Sequence, residues 1–321
     1  MYDCFMKNLV WQKFILGCGN LDEALKNGLG GVIFFTKDIQ SEKQFKGLIN
    51  DIKAKSILQP FLSIDQEGGR VERTENIRAK RLSARYVYEK GVNCLKEQCE
   101  EISKELNEWG LNLNFAPCVD VNTNPLNPII GERAFSNKVE DVVKGATVFI
   151  EALRKYNVIP CIKHFPGHGD ADKDSHLELP EIGLSLSEMK RIHIKPFKTL
   201  IEENIEMIMV AHLHCKCFDQ EVIPSSLSKN VISYIRNDLK YDGVLISDDM
   251  VMKGVSKYGL LESVVMGIEA GLDMFIFRDS DDVTLQMVND LCKLVESDKV
   301  LQTKILKSDE RISRLRQKIS G

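Results

Sequence analysis

The sequence predicts an α/β protein whose parallel strands close into a (β/α) barrel, and three observations point there. Seven short runs are almost continuously apolar: GGVIFF (30–35), PFLSID (60–65), LNLNFAPCVDV (111–121), VIPCIKHF (158–165), EMIMVAHL (206–213), DGVLISDD (242–249) and LDMFIF (272–277). Strands covered on both faces read this way, whereas a strand with one wet face alternates. Amphipathic stretches such as 138–156, 186–204 and 226–239 lie between the runs, and the last begins with serines suited to capping a helix. Strand alternating with helix is the pattern of a parallel sheet. Seven such units over about 250 residues suit a barrel better than a small open sheet, although a doubly wound sheet fits the same alternation.

Composition narrows the partners. The chain has 321 residues with no low-complexity tract, no Pro/Gly/Ser-rich linker and no short repeat, so residues 1–321 are expected to form one domain. Its net charge of -4 carries no basic excess, which argues against nucleic acid and against an anionic membrane surface. No apolar run is long enough for a membrane helix. The opening segment MYDCFMKNLVWQKFILGCGN has a short apolar patch but no secretory n-region or cleavage site, and the odd set of nine cysteines reads as free thiols. A cytoplasmic protein is expected. HLHCKC (212–217) offers zinc-type ligands, but without a second ligand pair. With no GxxxxGK[ST] and no GxGxxG after a strand, no nucleotide cofactor is expected.

The apolar runs share a further feature. Asp65, Asp120, Lys163 with His164, His212, and Asp248 with Asp249 stand where five of them end. A barrel builds its site at the carboxyl ends of several strands at once. In ISDD (246–249) neighbouring side chains of an extended strand point to opposite faces, so one aspartate is expected to face the reaction centre and the other to hold the loop. KHFPGHGDADKDSH (163–176) turns tightly at Gly167 and Gly169. Asp174 and His176 are spaced to form a carboxylate–imidazole dyad, in which the acid fixes the tautomer and leaves the other nitrogen free to move a proton. A metal centre on His164, His168, Asp170, Asp174 and His176 is the competing reading, weakened because Pro166 and Gly167 break the helix that such spacing needs. DQEGGRVER (65–73) and NPIIGERAF (127–135) add an acid and the arginines Arg70, Arg73 and Arg133, suited to sugar hydroxyls and an amide.

In this order, DQEGGRVER, NPIIGERAF, KHFPGHG with DSH downstream, MVAH with PSSLS, and GVLISDDM resemble the β-N-acetylhexosaminidases of glycoside hydrolase family 3, over about residues 28 to 280. The resemblance implies a single-domain (β/α)8 TIM-like barrel without a second domain. It places the family's nucleophile on Asp248, its acid/base on His176 with Asp174 as partner, and its sugar-binding residues on Asp65, Arg73, Arg133, Lys163 and His164. Arg70 is expected in a structural ion pair and His168 as a brace for the loop. The implied reaction is retaining removal of terminal N-acetylglucosamine, with no metal and no other cofactor. The implied substrate is a muropeptide of N-acetylglucosamine linked to (anhydro-)N-acetylmuramic acid, met in peptidoglycan recycling. A phosphorylase on the same barrel stays open, because a neutral imidazole repels an anionic acceptor less than a carboxylate does, as does a metal-dependent hydrolase. The sequence is silent on oligomeric state, and a monomer is favoured.

Overall fold

Eight parallel strands close on themselves in the computed structural model, which describes residues 2–171 and 179–319. In chain order the strands are β1 (Phe14–Gly17), β2 (Gly31–Phe34), β3 (Phe61–Ile64), β4 (Leu113–Asn114), β5 (Ile159–Phe165), β6 (Glu181–Ile182), β7 (Met207–Val210), β8 (His214–Cys215), β9 (Val244–Asp249) and β10 (Met274–Phe277). The barrel order is β1-β10-β9-β7-β5-β4-β3-β2, while β6 and β8 pair in a small sheet outside it. All seven predicted runs became barrel strands. The eighth, β1, lies between two helices in the opening segment, where the sequence shows only a short apolar patch.

Although the barrel strands are largely apolar on both faces, their side chains divide by parity. Met207 and Met209 point into the barrel and Ile208 and Val210 out toward the helices; Val244 and Ile246 point in and Leu245 out. Register levels them, with Met209 beside Ile246 and Met274 on the far side of β9. The interior is closed at the amino-terminal end of the strands by Ile312, Leu315 and Ile319, from the helix Lys299–Gln317 and the residues after it. Burying side chains of this size contributes about 1.5–3 kcal/mol each.

The helices follow their local signals. Ser228 caps Lys229–Ser233 by accepting from the Val231 N–H, as the serines predicted. The stretch 186–204 forms two helices, Leu186–Arg191 and Lys195–Glu202, and Pro196 lies in the first turn of the second, where its missing N–H has no cost. The basic segment after Arg73 is held by carboxylates: Arg81 pairs with Glu72, Glu101 and Glu105, and Arg78 with Glu42 and Glu105. Among the described residues no helix is long and apolar enough to cross a membrane.

Candidate active site

Strand parity, carried to the carboxyl end of each strand or one step beyond it, aims particular residues into the barrel mouth. Inward Ile33 on β2 is followed by Phe35, Phe61 and Ser63 on β3 by Asp65, and Cys161 on β5 by Lys163. Ile246 on β9 is followed by Asp248, and Ile276 on β10 by Arg278. All five line a cavity of about 650 Å³ at the carboxyl ends of the strands. Arg70, Arg73, Arg133, His164, His168 and Asp249 also face it.

Asp248 is half-buried at the end of β9, and its Oδ1 accepts the Asp249 N–H at 2.8 Å. Burial pushes its carboxyl up, but the imidazoles of His164 and His212, that N–H and Lys163 outweigh burial and leave it below the ordinary carboxylate value. An anionic Asp248 at neutral pH follows. Its neighbour holds the loop, as foreseen, but also lines the cavity rather than facing away from it. Asp249 accepts the backbone N–H groups of Val251 and Arg278, each at 3.2 Å, and pairs with the Arg278 guanidinium. His212 packs behind both, its Nδ1 2.7 Å from Ser226 Oγ and its Nε2 3.1 Å from the Asp249 carbonyl.

Opposite lies a chain of buried charges. Lys163 donates to Asp65 and to Glu67, both at 2.7 Å, and Glu67 takes the Arg133 guanidinium in a fork at 2.8 and 2.9 Å. Arg73 completes the run at 3.6 Å from Asp65, its guanidinium over the Phe35 ring. Burial alone would neutralise Glu67, yet Arg133 and Lys163 hold its carboxyl well below the usual range. Burial likewise opposes the charge on Lys163, and Asp65 and Glu67 more than restore it. Glu67 was missed by the sequence reading. It lies three residues past the end of β3, where the chain has left the strand, and its partners Arg133 and Lys163 are distant in sequence.

His164 follows Lys163 across a cis peptide and lines the cavity beside it, where the register of β5 against β7 shifts. Its Nδ1 is 2.7 Å from Asp120 Oδ2, and its Nε2 is 3.3 Å from Arg133 Nη2. A carboxylate only accepts, so the His164 Nδ1 carries a proton and donates it to Asp120. Asp120 also accepts the His168 N–H at 2.6 Å and the Cys118 thiol at 3.2 Å. Asp120 thus joins the strand ends to the glycine loop. Gly169 belongs there because a Cβ would stand 1.8 Å from the Val121 carbonyl oxygen. Asn127 ties the same loop to the Arg133 turn, donating to the His168 carbonyl at 2.8 Å and accepting from Ile129 and Ile130. His168 therefore braces the loop, and burial pushes its imidazole down to about 4.

Asp65, Arg73, Arg133, Lys163, His164 and Asp248 are brought to one cavity. Asp174 and His176 lie outside the described residues. Arg70 departs from expectation. Instead of an ion pair it donates to the Pro128 carbonyl at 2.8 Å, while Glu67, the acid that acts on it most strongly, is taken by Arg133 and Lys163. Phe35 and Arg278 were also missed, and counting inward parity along β2 and β10 would have found both. The HLHCKC ligands do not gather into a set of three or more: among the described residues, the ligand atoms that do so are those of Cys118, Asp120 and His164, and Asp120 accepts from both of the others.

Fold and pocket define an α/β-barrel protein with an anionic carboxylate in a cleft lined by cations. The family description "Glycosyl hydrolase family 3 N terminal domain" matches residues 20–315, and the chain belongs to that family. It is 32% identical to Beta-hexosaminidase A of Pseudoalteromonas piscicida, over 91% of this chain and 54% of that protein. It is 31% identical to Beta-hexosaminidase of Neisseria meningitidis serogroup C, over 83% of this chain and 76% of that one. A solved glycoside hydrolase family 3 β-N-acetylglucosaminidase from Paenibacillus sp. str. FPU-7 superposes with a TM-score of 0.93 at 30% identity, covering 98% of this chain and 62% of that one. The chain thus spans little more than half of the Pseudoalteromonas relative and about three-quarters of the Neisseria one.

Proposed function

We propose that the protein is a retaining exo-β-N-acetylglucosaminidase, cytoplasmic, which removes terminal N-acetylglucosamine from muropeptides during peptidoglycan recycling. The observation that carries this reading is the anionic Asp248 facing a cavity whose other walls are Lys163, Arg133, Asp65 and His164. Such a wall presents both donors and acceptors to the vicinal hydroxyls of one pyranose. Naming the sugar N-acetylglucosamine rests on the relatives' names, and naming the aglycone a muropeptide rests on the family resemblance together with the cationic rim of Arg278, Arg70 and Lys37.

In the proposed reaction the Asp248 carboxylate attacks the anomeric carbon while His176 protonates the departing oxygen, giving a covalent glycosyl ester. His176, now neutral, then takes a proton from water, which releases the sugar with retained configuration. Retaining glycosidases usually set two carboxylates about 5 Å apart for these two roles. An imidazole in the second role avoids repulsion with Asp248, and Asp174 stabilises the imidazolium that forms when water is deprotonated. Fixed cations around the sugar leave little to reorganise as charge moves, which is the usual source of electrostatic catalysis.

Product analysis on N-acetylglucosaminyl-anhydromuramyl peptide tests the reading. Free N-acetylglucosamine, with the same yield in the presence or absence of phosphate, is expected. N-acetylglucosamine 1-phosphate made only with phosphate would show a phosphorylase, and an inert muropeptide beside a cleaved chitobiose would overturn the substrate.

A further inference from the structure

Outside the mouth, one pair of reactive side chains is close enough to act as a unit. Cys215 ends β8 and is buried, and Cys217 is half-buried in the turn that follows. Their sulfurs are 3.4 Å apart, and both are free. The turn is tight, with the Phe218 N–H donating to the Cys215 carbonyl at 3.0 Å, so the chain holds the two thiols together. We propose that Cys215 and Cys217 form a reversible disulfide by exchange with a low-molecular-weight disulfide, making this turn a redox-modifiable site. Pairing requires the sulfurs to close by about 1.4 Å, to the normal bond length.

The two thiols are not equivalent. Cys215 is buried and Cys217 only half-buried, so Cys217 is the thiol that a small molecule reaches and the attacking thiolate. Their contact and nearby Lys190 also pull Cys217 below the ordinary thiol value, while the same contact and burial push Cys215 well above it. The Cys217 sulfur attacks one sulfur of RSSR, forming Cys217–SR and expelling RS⁻. Cys215 then loses its proton and attacks the Cys217 sulfur, expelling the second RS⁻. Two electrons pass from the protein dithiol to RSSR, which leaves as two thiols. β8 pairs with β6, and Glu181 of β6 is five residues beyond His176 in the sequence. The chemistry is independent of the glycosidase reading and is tested without it.

The test equilibrates the native protein in glutathione/glutathione disulfide buffers, alkylates remaining thiols and maps the Glu-C peptide 207–221. Loss of both thiols with no glutathione attached, reversed by dithiothreitol, is expected. In the Cys215→Ser protein the same treatment should leave a persistent glutathione adduct on Cys217, since no thiol remains to displace it. The Cys217→Ser protein should keep Cys215 as a thiol. A stable adduct on Cys217 of the wild type, or Cys217 joined to a different cysteine, or an unmodified pair while exposed Cys94 reacts, would overturn the proposal.

Discussion

The two ends of this barrel each bury a lysine, and they treat it in opposite ways. At the mouth, Lys163 touches two carboxylates at 2.7 Å, and its ammonium is held in the charged form. At the base, Lys13 is as deeply buried but meets the Ser308 hydroxyl and, at 3.5 Å, the Ile305 carbonyl. Asp273 is near enough to act on it, yet is itself held by Arg236 and Arg311. Burial consequently pushes the Lys13 ammonium down to about 8. The difference shows where fixed charge is wanted. At the base, apolar residues fill the interior and the lysine mainly fastens the carboxyl-terminal helix. At the mouth, charges are paired so that they stay ionised beside an open cavity. Removing one member of such a set strands the others, at a cost of about 3–5 kcal/mol.

The largest expected effect is at the mouth. Asp248→Ala should lower kcat on a chromogenic N-acetyl-β-glucosaminide by about 10⁴-fold or more while leaving the melting temperature near wild type. Appreciable residual turnover would place the nucleophile elsewhere. His176→Ala should lower kcat by about 10²–10⁴-fold, and azide should restore part of it as glycosyl azide. Failure of rescue together with an unchanged rate would remove His176 from the chemistry.

Glu67→Ala sharpens the contrast between the ends, because it leaves Lys163 and Arg133 facing each other without their shared acid. Urea unfolding should show a loss of about 3–5 kcal/mol, with kcat/KM falling as well. A stability change below about 1 kcal/mol would show that the mouth charges are independent of one another.

His168 supplies a pH signature. Its folded value, about 4, lies below the value of about 6.5 for an unfolded histidine, so between these pH values the unfolded chain binds the extra proton. Stability should thus fall as pH drops from about 6.5 to about 4, by up to about 3 kcal/mol from this residue. His168→Asn should flatten that part of the curve, and an unaltered slope would assign the loss to other groups. The smallest effect belongs to the base. Lys13→Met should shift stability by no more than about 1 kcal/mol, since its two hydrogen bonds are exchanged for relief of a buried charge. A loss as large as that of Glu67→Ala would erase the distinction between the two ends.

Much of this could be read before any coordinates. The apolar runs gave seven of eight strands because strands buried on both faces need no polar residue until they end. Charged residues at the carboxyl ends of those runs then marked Asp65, Lys163 and Asp248. What escaped notice lacked a period or came by way of long-range geometry. β1 is four residues long inside a helix-rich segment. Glu67 sits in a turn, and its role depends on Arg133, 66 residues away in a short 3-10 turn, and on Lys163 on another strand. Asp120 was visible as the end of a run, but its place beneath both His164 and the His168 loop depends on folding of the loops around it. Phe35 and Arg278 were within reach, because they carry the inward parity of β2 and β10 one step further.

The central claim is that the Asp248 carboxylate bonds covalently to the sugar. Incubation with a 5-fluoro N-acetylglucosaminyl fluoride, followed by peptide mapping of the trapped enzyme, tests it most directly. A single glycosyl adduct on Asp248 is the predicted result. An adduct on any other carboxylate, Asp249 and Asp65 included, or inactivation without any covalent sugar, would contradict it.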